Sequence, residues 1–381
     1  MIPLYKPYLP IEAQQAVNAC LNSGWLGYGP VCKSLEHRFS QVHGGWALAT
    51  SSCTSALYIA GRLCKHSSSD EIIVPAVTFI STAMAFLSSG FNIRLADIDP
   101  KTLLLNKKSI EERLTSKTRA IVVVHLFGQR VMTSDIRELC DKHRIDLIED
   151  CAHRLDLMDN KPHLCDYACY SFHAVKEAPG GEGGLIWTRN KELETRARAI
   201  SNLGMGIDTL ERSSNFKHGD YWFTEEIGLK YRLNDIAASL VNVSLNCLED
   251  IRRRRMSIFK YYDERIKDFS PHIVPLVRHN DDSYLMYVIR LCGLDREKLR
   301  ADMAEYGVAT SVHYPSLAGH PLLANSLDQC LNADKASKEI VTLPCFPDLS
   351  TAEQDTVIAA LRKAINNQIG SSYKRYATTC K

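Results

Sequence analysis

Between about residues 45 and 190 the chain alternates short apolar runs with longer stretches of mixed polarity. The runs EIIVPAV (71–77), NIRLADID (92–99), AIVVVHLFG (120–128), IDLIED (145–150), YACYSFH (167–173) and GGLIWT (183–188) are rich in β-branched and aromatic residues. Their nearly continuous apolar character predicts strands buried on both faces. Between them, TSALYIAGRLC (54–64), SIEERL (109–114) and SDIRELCDKH (134–143) have helical spacing. Strand–helix alternation of this kind predicts an α/β fold with a mainly parallel sheet covered on both sides. The C-terminal part differs: a long helix near 234–268, a strand at SYLMYVIRL (283–291), then helices near 295–306 and 351–366. The expected organisation is a large α/β domain over 1–245 and a small α+β domain over 246–381. The polar stretch 205–226 reads as an irregular excursion from the large domain.

Composition narrows the field. A chain of 381 residues, 45% hydrophobic and 24% charged, is neither disordered nor collagen-like. Its net charge of +2 gives no field that favours nucleic acid or an anionic membrane. The one dense basic run, Arg252 to Arg255, lies in LEDIRRRRMSIFKYYDERI and reads as the solvated face of an amphipathic helix. No apolar stretch is long enough for a membrane span, and the N-terminus lacks a signal-peptide core, so a cytoplasmic protein is expected. Thirteen cysteines without a C-x-x-C pair read as reduced, mostly buried thiols, and no metal site is expected.

In parallel sheets, ligands bind beyond the carboxyl ends of the strands, so the residues that follow each strand matter most. Asp150 ends one apolar strand and is followed by His153. A carboxylate there either caps a helix or meets a positive partner. Lys176 lies between an apolar strand and the glycine-rich turn from Gly180 to Gly184. Most loop lysines are solvated charges, but burial in such a place would free an amine for Schiff-base chemistry. Ser51 to Ser55 open a helix, as simple N-capping or as a phosphate site. Phe79, just past a strand, reads by itself as core. Together the four make a phosphate cradle, a flat stacking surface, a carboxylate and a lysine at strand ends, a set that suits pyridoxal phosphate.

The segments GWLGYGP (24–30), SSCTSAL (51–57), VPAVTFIST (74–82), VVVHLFGQ (122–129), IEDCAH (148–153), YSFHAVK (170–176), GEGGLI (181–186), GLKYRLND (228–235), VHYPSL (312–317) and TLPCFPDLS (342–350) resemble the DegT-type sugar aminotransferases in colinear order. The resemblance implies the aspartate aminotransferase fold (fold type I). It also implies a homodimer with shared active sites, and transamination of a keto sugar, usually nucleotide-linked, with glutamate as amino donor. Residue by residue, it implies Lys176 as the Schiff-base lysine and proton shuttle and Asp150 as partner of the pyridinium nitrogen. His153 takes the position that contacts the cofactor's ring oxygen, and Phe79 that of the stacking aromatic. Cys53, Thr54 and Ser171 take phosphate-binding positions, and Lys230 that of the residue reaching the phosphate from the partner subunit.

Three departures stand out: Cys53 where glycine is usual, Lys230 where many members have asparagine, and Arg154 to Met158 in place of a glycine-containing turn. The alternatives are amination of a cyclitol or free keto sugar, a sugar dehydratase of the same fold, and a regulator without catalysis. Lys176 argues against dehydratases with histidine at that place, and the lack of a clustered cysteine motif against iron–sulfur ones. A pure sensor needs no Schiff-base lysine. The loops GWLGYGP, 205–226 and VHYPSL are expected to shape the pocket.

Overall fold

The computed structural model describes residues 1–64, 67–158, 163–206, 226–278, 281–323 and 328–379, with side chains to Ile369. All six predicted strands form: β2 (Glu71–Pro75), β3 (Asn92–Ala96), β4 (Thr118–Val124), β5 (Asp146–Cys151), β6 (Tyr167–Ser171) and β7 (Gly184–Thr188). A seventh, β1 (Trp46–Thr50), precedes them. The sequence WALAT has one β-branched residue and follows Gly44–Gly45, so its strand signal is weak. Strand order is β1-β7-β6-β5-β4-β2-β3. Only β7 runs against its neighbours; the other pairs are parallel. Every residue of β1, β6 and β7 is buried, the physical reason these runs carry no polar alternation.

Around this sheet lie α1 (Glu12–Ser23), α2 (Pro30–His43), α3 (Cys53–Leu63), α4 (Ile80–Ser89), α5 (Lys107–Glu111), α6 (Ser134–His143), α7 (Glu194–Ser201) and α8 (Asp235–Asn246). The helix expected over 234–268 is two, α8 and α9 (Leu248–Ile266), broken at Cys247 with φ −105° and ψ 9°. Next come α10 (Arg296–Glu305), α11 (Leu331–Glu339) and α12 (Thr351–Thr379), with a second, antiparallel sheet of β8 (Ile273–Pro275), β9 (Tyr287–Leu291) and β10 (Ile340–Leu343).

Buried side chains fall into two cores. The second holds Ile258, Phe259 and Tyr262 of α9 with Tyr287, Ile289, Val341, Leu361 and Ile365. Leu248, at the start of α9, belongs to the first core, as do Met286, Val288 and Leu317. Helix α9 therefore runs from one core to the other. The expected boundary after 245 falls inside α8, one residue before its end, and segments after α9 still contribute to the first core.

The four arginines do not form one solvated face. Four consecutive residues on a helix point to every side, about 100° apart. Arg253 and Arg254 pair with Asp250 at the surface. Arg252 instead reaches inward, its Nε 2.7 Å from Glu177 Oε1, and Arg255 is buried, giving Nη1–H to Leu285 O at 2.8 Å. Half of the expected solvated face is thus internal: Arg252 ties α9 to the turn that carries Lys176, and Arg255 ties it to the segment before β9. The twelve described cysteines are all free, and ten are buried. Among the described residues no helix is long and apolar enough to cross a membrane.

Candidate active site

Seven of the eight expected site residues, Cys53, Thr54, Phe79, Asp150, His153, Ser171 and Lys176, line one cavity of about 480 Å³ at the carboxyl ends of the strands. They arrive on α3 (Cys53, Thr54), β5 (Asp150), β6 (Ser171) and the segments that follow β2, β5 and β6 (Phe79, His153, Lys176), as binding beyond the carboxyl ends of strands requires. Ser52 caps α3, its Oγ accepting the Ser55 amide at 3.1 Å. The capping reading holds, and the anion reading stands with it: the Cys53 and Thr54 amides donate to nothing within the described chain and open on the cavity. The chain turns closely against them at Gly184. A Cβ there would sit 2.3 Å from Ser52 C and 2.5 Å from Cys53 N, so only glycine lets β7 approach the start of α3.

Asp150 caps no helix. It is buried near the end of β5, with Oδ2 accepting from Thr82 Oγ1 at 2.8 Å and Oδ1 from the Ala152 amide at 3.0 Å. Thr78 Oγ1 lies 2.9 Å from Thr82 Oγ1 and backs it, and the Cys53 thiol approaches Oδ1 at 3.8 Å. Burial pushes Asp150 above the usual carboxylate range, opposed by Thr82, the Ala152 amide and the charge of Lys176. Burial also lowers the Lys176 ammonium, to about 8, against the pull of Cys53 and Asp150 and with help from the Arg255 charge. A substantial fraction of that amine is therefore neutral and nucleophilic near pH 7.5.

Phe79 is not core. It is 52% exposed, and the exposed face borders the cavity beside Tyr314, whose ring centre lies 5.5 Å away. An apolar ring kept open at a strand end is a stacking surface for a flat ligand. His153 is buried; its Nδ1 accepts the Phe127 amide at 3.1 Å, and its Nε2 lies 3.2 Å from Tyr314 Oη. Lys230 stands apart, exposed and outside this cavity, bridged to Asn202.

Of the three loops expected to shape the pocket, VHYPSL does so through His313 and Tyr314. GWLGYGP does not line it. Asp235 holds that segment elsewhere, accepting the amides of Gly29 at 2.9 Å, Val31 at 3.1 Å and Cys32 at 3.0 Å and so capping α2 from the far side of the sequence. Most of 205–226 lies outside the described residues. In the loop that departs from the family pattern, Arg154 is buried with Nε 2.5 Å from Asp156 Oδ1, and the Leu155 amide donates to Glu177 at 2.7 Å. Sequence reasoning missed Thr78, Thr82 and Tyr5. Thr82 lies within the quoted VPAVTFIST, one helical turn past Thr78, but nothing local says that it turns toward Asp150.

A sequence model of the DegT/DnrJ/EryC1/StrS aminotransferase family matches residues 8–362. Among solved structures, the aminotransferase TlmJ from Streptoalloteichus hindustanus is 28% identical, over 96% of this chain and 99% of that one, with a TM-score of 0.87. Spr1654 from Streptococcus pneumoniae, assigned as a sugar aminotransferase and solved in its PMP form, is 26% identical over 96% and 99%, with a TM-score of 0.86. PseC from Helicobacter pylori, 24% identical over 96% and 99%, shares the fold with a TM-score of 0.87.

Proposed function

The chain belongs to the DegT/DnrJ/EryC1/StrS aminotransferase family, a family of pyridoxal phosphate enzymes, and from that premise we propose that it converts a nucleotide-linked keto-deoxysugar to an amino sugar with glutamate as donor. The observation that carries this reading is the meeting of Lys176, Asp150 and the open amides of α3 in one cavity. The donor set suits the cofactor: unpartnered helix amides for a phosphate, a buried carboxylate for a ring nitrogen and an amine of lowered basicity for an aldehyde.

When bound, pyridoxal phosphate supplies an electrophilic aldehyde and a ring that accepts an electron pair. The chain does the rest. The Cys53 and Thr54 amides and the Thr54 and Ser171 hydroxyls would hold the phosphate. Phe79 would cover one ring face. Asp150, its lone pairs fixed by Thr82 and Ala152, would keep a proton on the ring nitrogen. Lys176 would hold the aldehyde and, as a free amine, would carry the proton from the donor's α-carbon to the carbon that bore the aldehyde. Met286, Tyr5 and His313 line the same cavity as Lys176.

We place the second copy of the chain against the surface that carries Lys230. Leu203, Ile227 and Leu229 are exposed there, at 55%, 78% and 42%, an apolar patch around a lysine that its own cavity does not use. Lys176→Ala and Lys230→Ala proteins, each impaired, are to be refolded together; a mixed dimer then has one intact site and regains activity. No recovery, with exchange of subunits demonstrated, would mean that each chain serves its own site. The substrate test is a panel of nucleotide-linked keto sugars with glutamate, followed by mass spectrometry. An amino sugar and 2-oxoglutarate in equal amounts is the expected result, and failure of every nucleotide-linked member while a free keto sugar or cyclitol reacts would refute the nucleotide.

A further inference from the structure

We propose that in this chain Tyr314, and not His153, gives the hydrogen bond to the ring oxygen of bound pyridoxal phosphate, with His153 as the positioning residue behind it. The inference rests on the ring placement given above. It begins with the tautomer of His153. A backbone amide can only donate, so the Phe127 N–H at 3.1 Å assigns the lone pair to Nδ1. Burial, aided by the charges of Lys176 and His313, holds the imidazole well below its usual range, so it is neutral. Its single proton is therefore on Nε2 and is given to Tyr314 Oη at 3.2 Å. Both nitrogens of His153 are then spent inside the protein. Ser283 Oγ–H to His153 O at 3.1 Å fixes the backbone of the same residue.

Tyr314 Oη, having accepted, keeps its own proton to give. Among the described residues no second hydrogen-bond partner takes it, and Tyr314 lines the cavity. The order of the strands says what it faces. The phosphate cradle lies at the β1, β7 and β6 end, through α3 and Ser171, and Asp150 sits on β5. Beyond β5 come β4 and β2, and that end carries Phe127, His153 and Tyr314, the last held over β2 by the Leu317 amide to Ala76 O at 2.8 Å. A pyridoxal ring has its oxygen-bearing carbon on the edge opposite the phosphate arm, next to the carbon that Lys176 addresses. With nitrogen on Asp150 and phosphate on α3, that oxygen points to the β4–β2 end, where Tyr314 is the donor left free. The other titratable groups on this wall are Asp150, His313 and Tyr5. The His313 Nδ1 lies 2.8 Å from Thr342 Oγ1, which engages it from β10.

The test compares the holoenzyme with Tyr314→Phe, His153→Asn and the double variant. Asparagine keeps an acceptor for the Phe127 amide while removing the contact to Tyr314. The readouts are affinity for pyridoxal phosphate and the pH at which its visible band changes. Losing one hydrogen bond to a charged oxygen should weaken binding by roughly ten- to hundredfold. The pH of the colour change should rise, because the oxygen without its donor holds more tightly the proton it shares with the Lys176 nitrogen. His153→Asn should move both readouts in the same direction by no more than Tyr314→Phe, and the double variant should match Tyr314→Phe alone. An unmoved band and affinity in Tyr314→Phe, or effects of the two variants that add, would overturn the proposal and return the contact to His153. A wild-type chain that shows no visible band with pyridoxal phosphate would overturn the ring placement itself.

Discussion

Glu149 and Asp150 are consecutive residues of β5, both buried, and their surroundings drive them in opposite directions. Alternation along a strand sends them to opposite faces of the sheet. On one side, Asp150 meets Thr82, the Ala152 amide and the Cys53 thiol, and burial wins: its carboxyl is raised. On the other, burial would also raise Glu149, but His163 Nδ1 at 3.2 Å and His125 Nε2 at 3.5 Å outweigh it and hold it well below the usual carboxylate range. His163 is itself 2.5 Å from Tyr170 Oη, and Val131 N–H donates to His125 Nδ1 at 3.1 Å, so the charge sits in a closed network. The cluster of Glu149 with His163 and Cys165 has the residue types of a metal site. Its carboxylate is already served by these donors, which accounts for the group structurally. Equal burial thus yields a carboxylate held low by two histidines on one face and a raised, cavity-lining one on the other; the partners decide which.

The widest separation should come from exchanging charge for amide at each position. Asp150→Asn should lower turnover by roughly 10²–10³-fold, because an amide cannot hold a proton on a ring nitrogen. Circular dichroism and thermal melting should show it folded, and near-normal turnover would defeat the assigned role. Glu149→Ala should leave its mark on stability instead. Removing one partner from a buried network costs about 3–5 kcal/mol, read as a fall in the denaturant midpoint. A midpoint shift under about 1 kcal/mol would show that the network is not closed.

Acid should distinguish the same two carboxylates. Glu149 is depressed in the folded chain, so its stabilisation is present above the ordinary unfolded value and lost as pH falls through the folded one. Thermal melts of wild type and Glu149→Gln should therefore converge below about pH 4. Asp150, raised by burial, has the opposite sign: its charged form weakens the cofactor-free protein, and acid relieves it. Lys176 makes a related case for the reactive face. Its ammonium, lowered to about 8, destabilises the cofactor-free fold below that pH, and the penalty fades as pH rises toward the unfolded value near 10.4. Lys176→Met should accordingly melt higher than wild type at pH 7 without cofactor, with the gain lost in alkali; a variant that melts lower would break the contrast. The smallest effect is expected from Thr82→Val, about fivefold in turnover for one hydrogen bond to Asp150.

Much of the site was legible in sequence because each piece is a local signal at the end of a strand. Lys176 precedes a glycine-rich turn, Asp150 closes an apolar run, and polar residues open α3; chain order alone put these at one edge of the sheet. Phe79 was legible only in combination with the other three pieces, since by itself it reads as core and the structure leaves it half exposed. The arginine run misled because composition records four charges and not the directions in which a helix sends them. Strand β1 was missed because only Thr50 in it is β-branched and its place in the sheet comes from pairing with β7, far along the chain.

The sequence by itself determined the alternation of strands and helices, the placing of Lys176 and Asp150 at strand ends, and the family to which those motifs belong. These follow from covalent neighbours, whose spacing is set before folding. Only tertiary structure decided that Thr82 serves Asp150 across 68 residues, that Tyr314 meets His153 across 161, and that Asp235 caps α2 across 206. It also decided the charge states, because desolvation and partner contacts exist only once water has been excluded. A carboxylate in the sequence is a possibility; which neighbours the fold brings to it, and how little water remains, makes Glu149 a buried tie and Asp150 a working group.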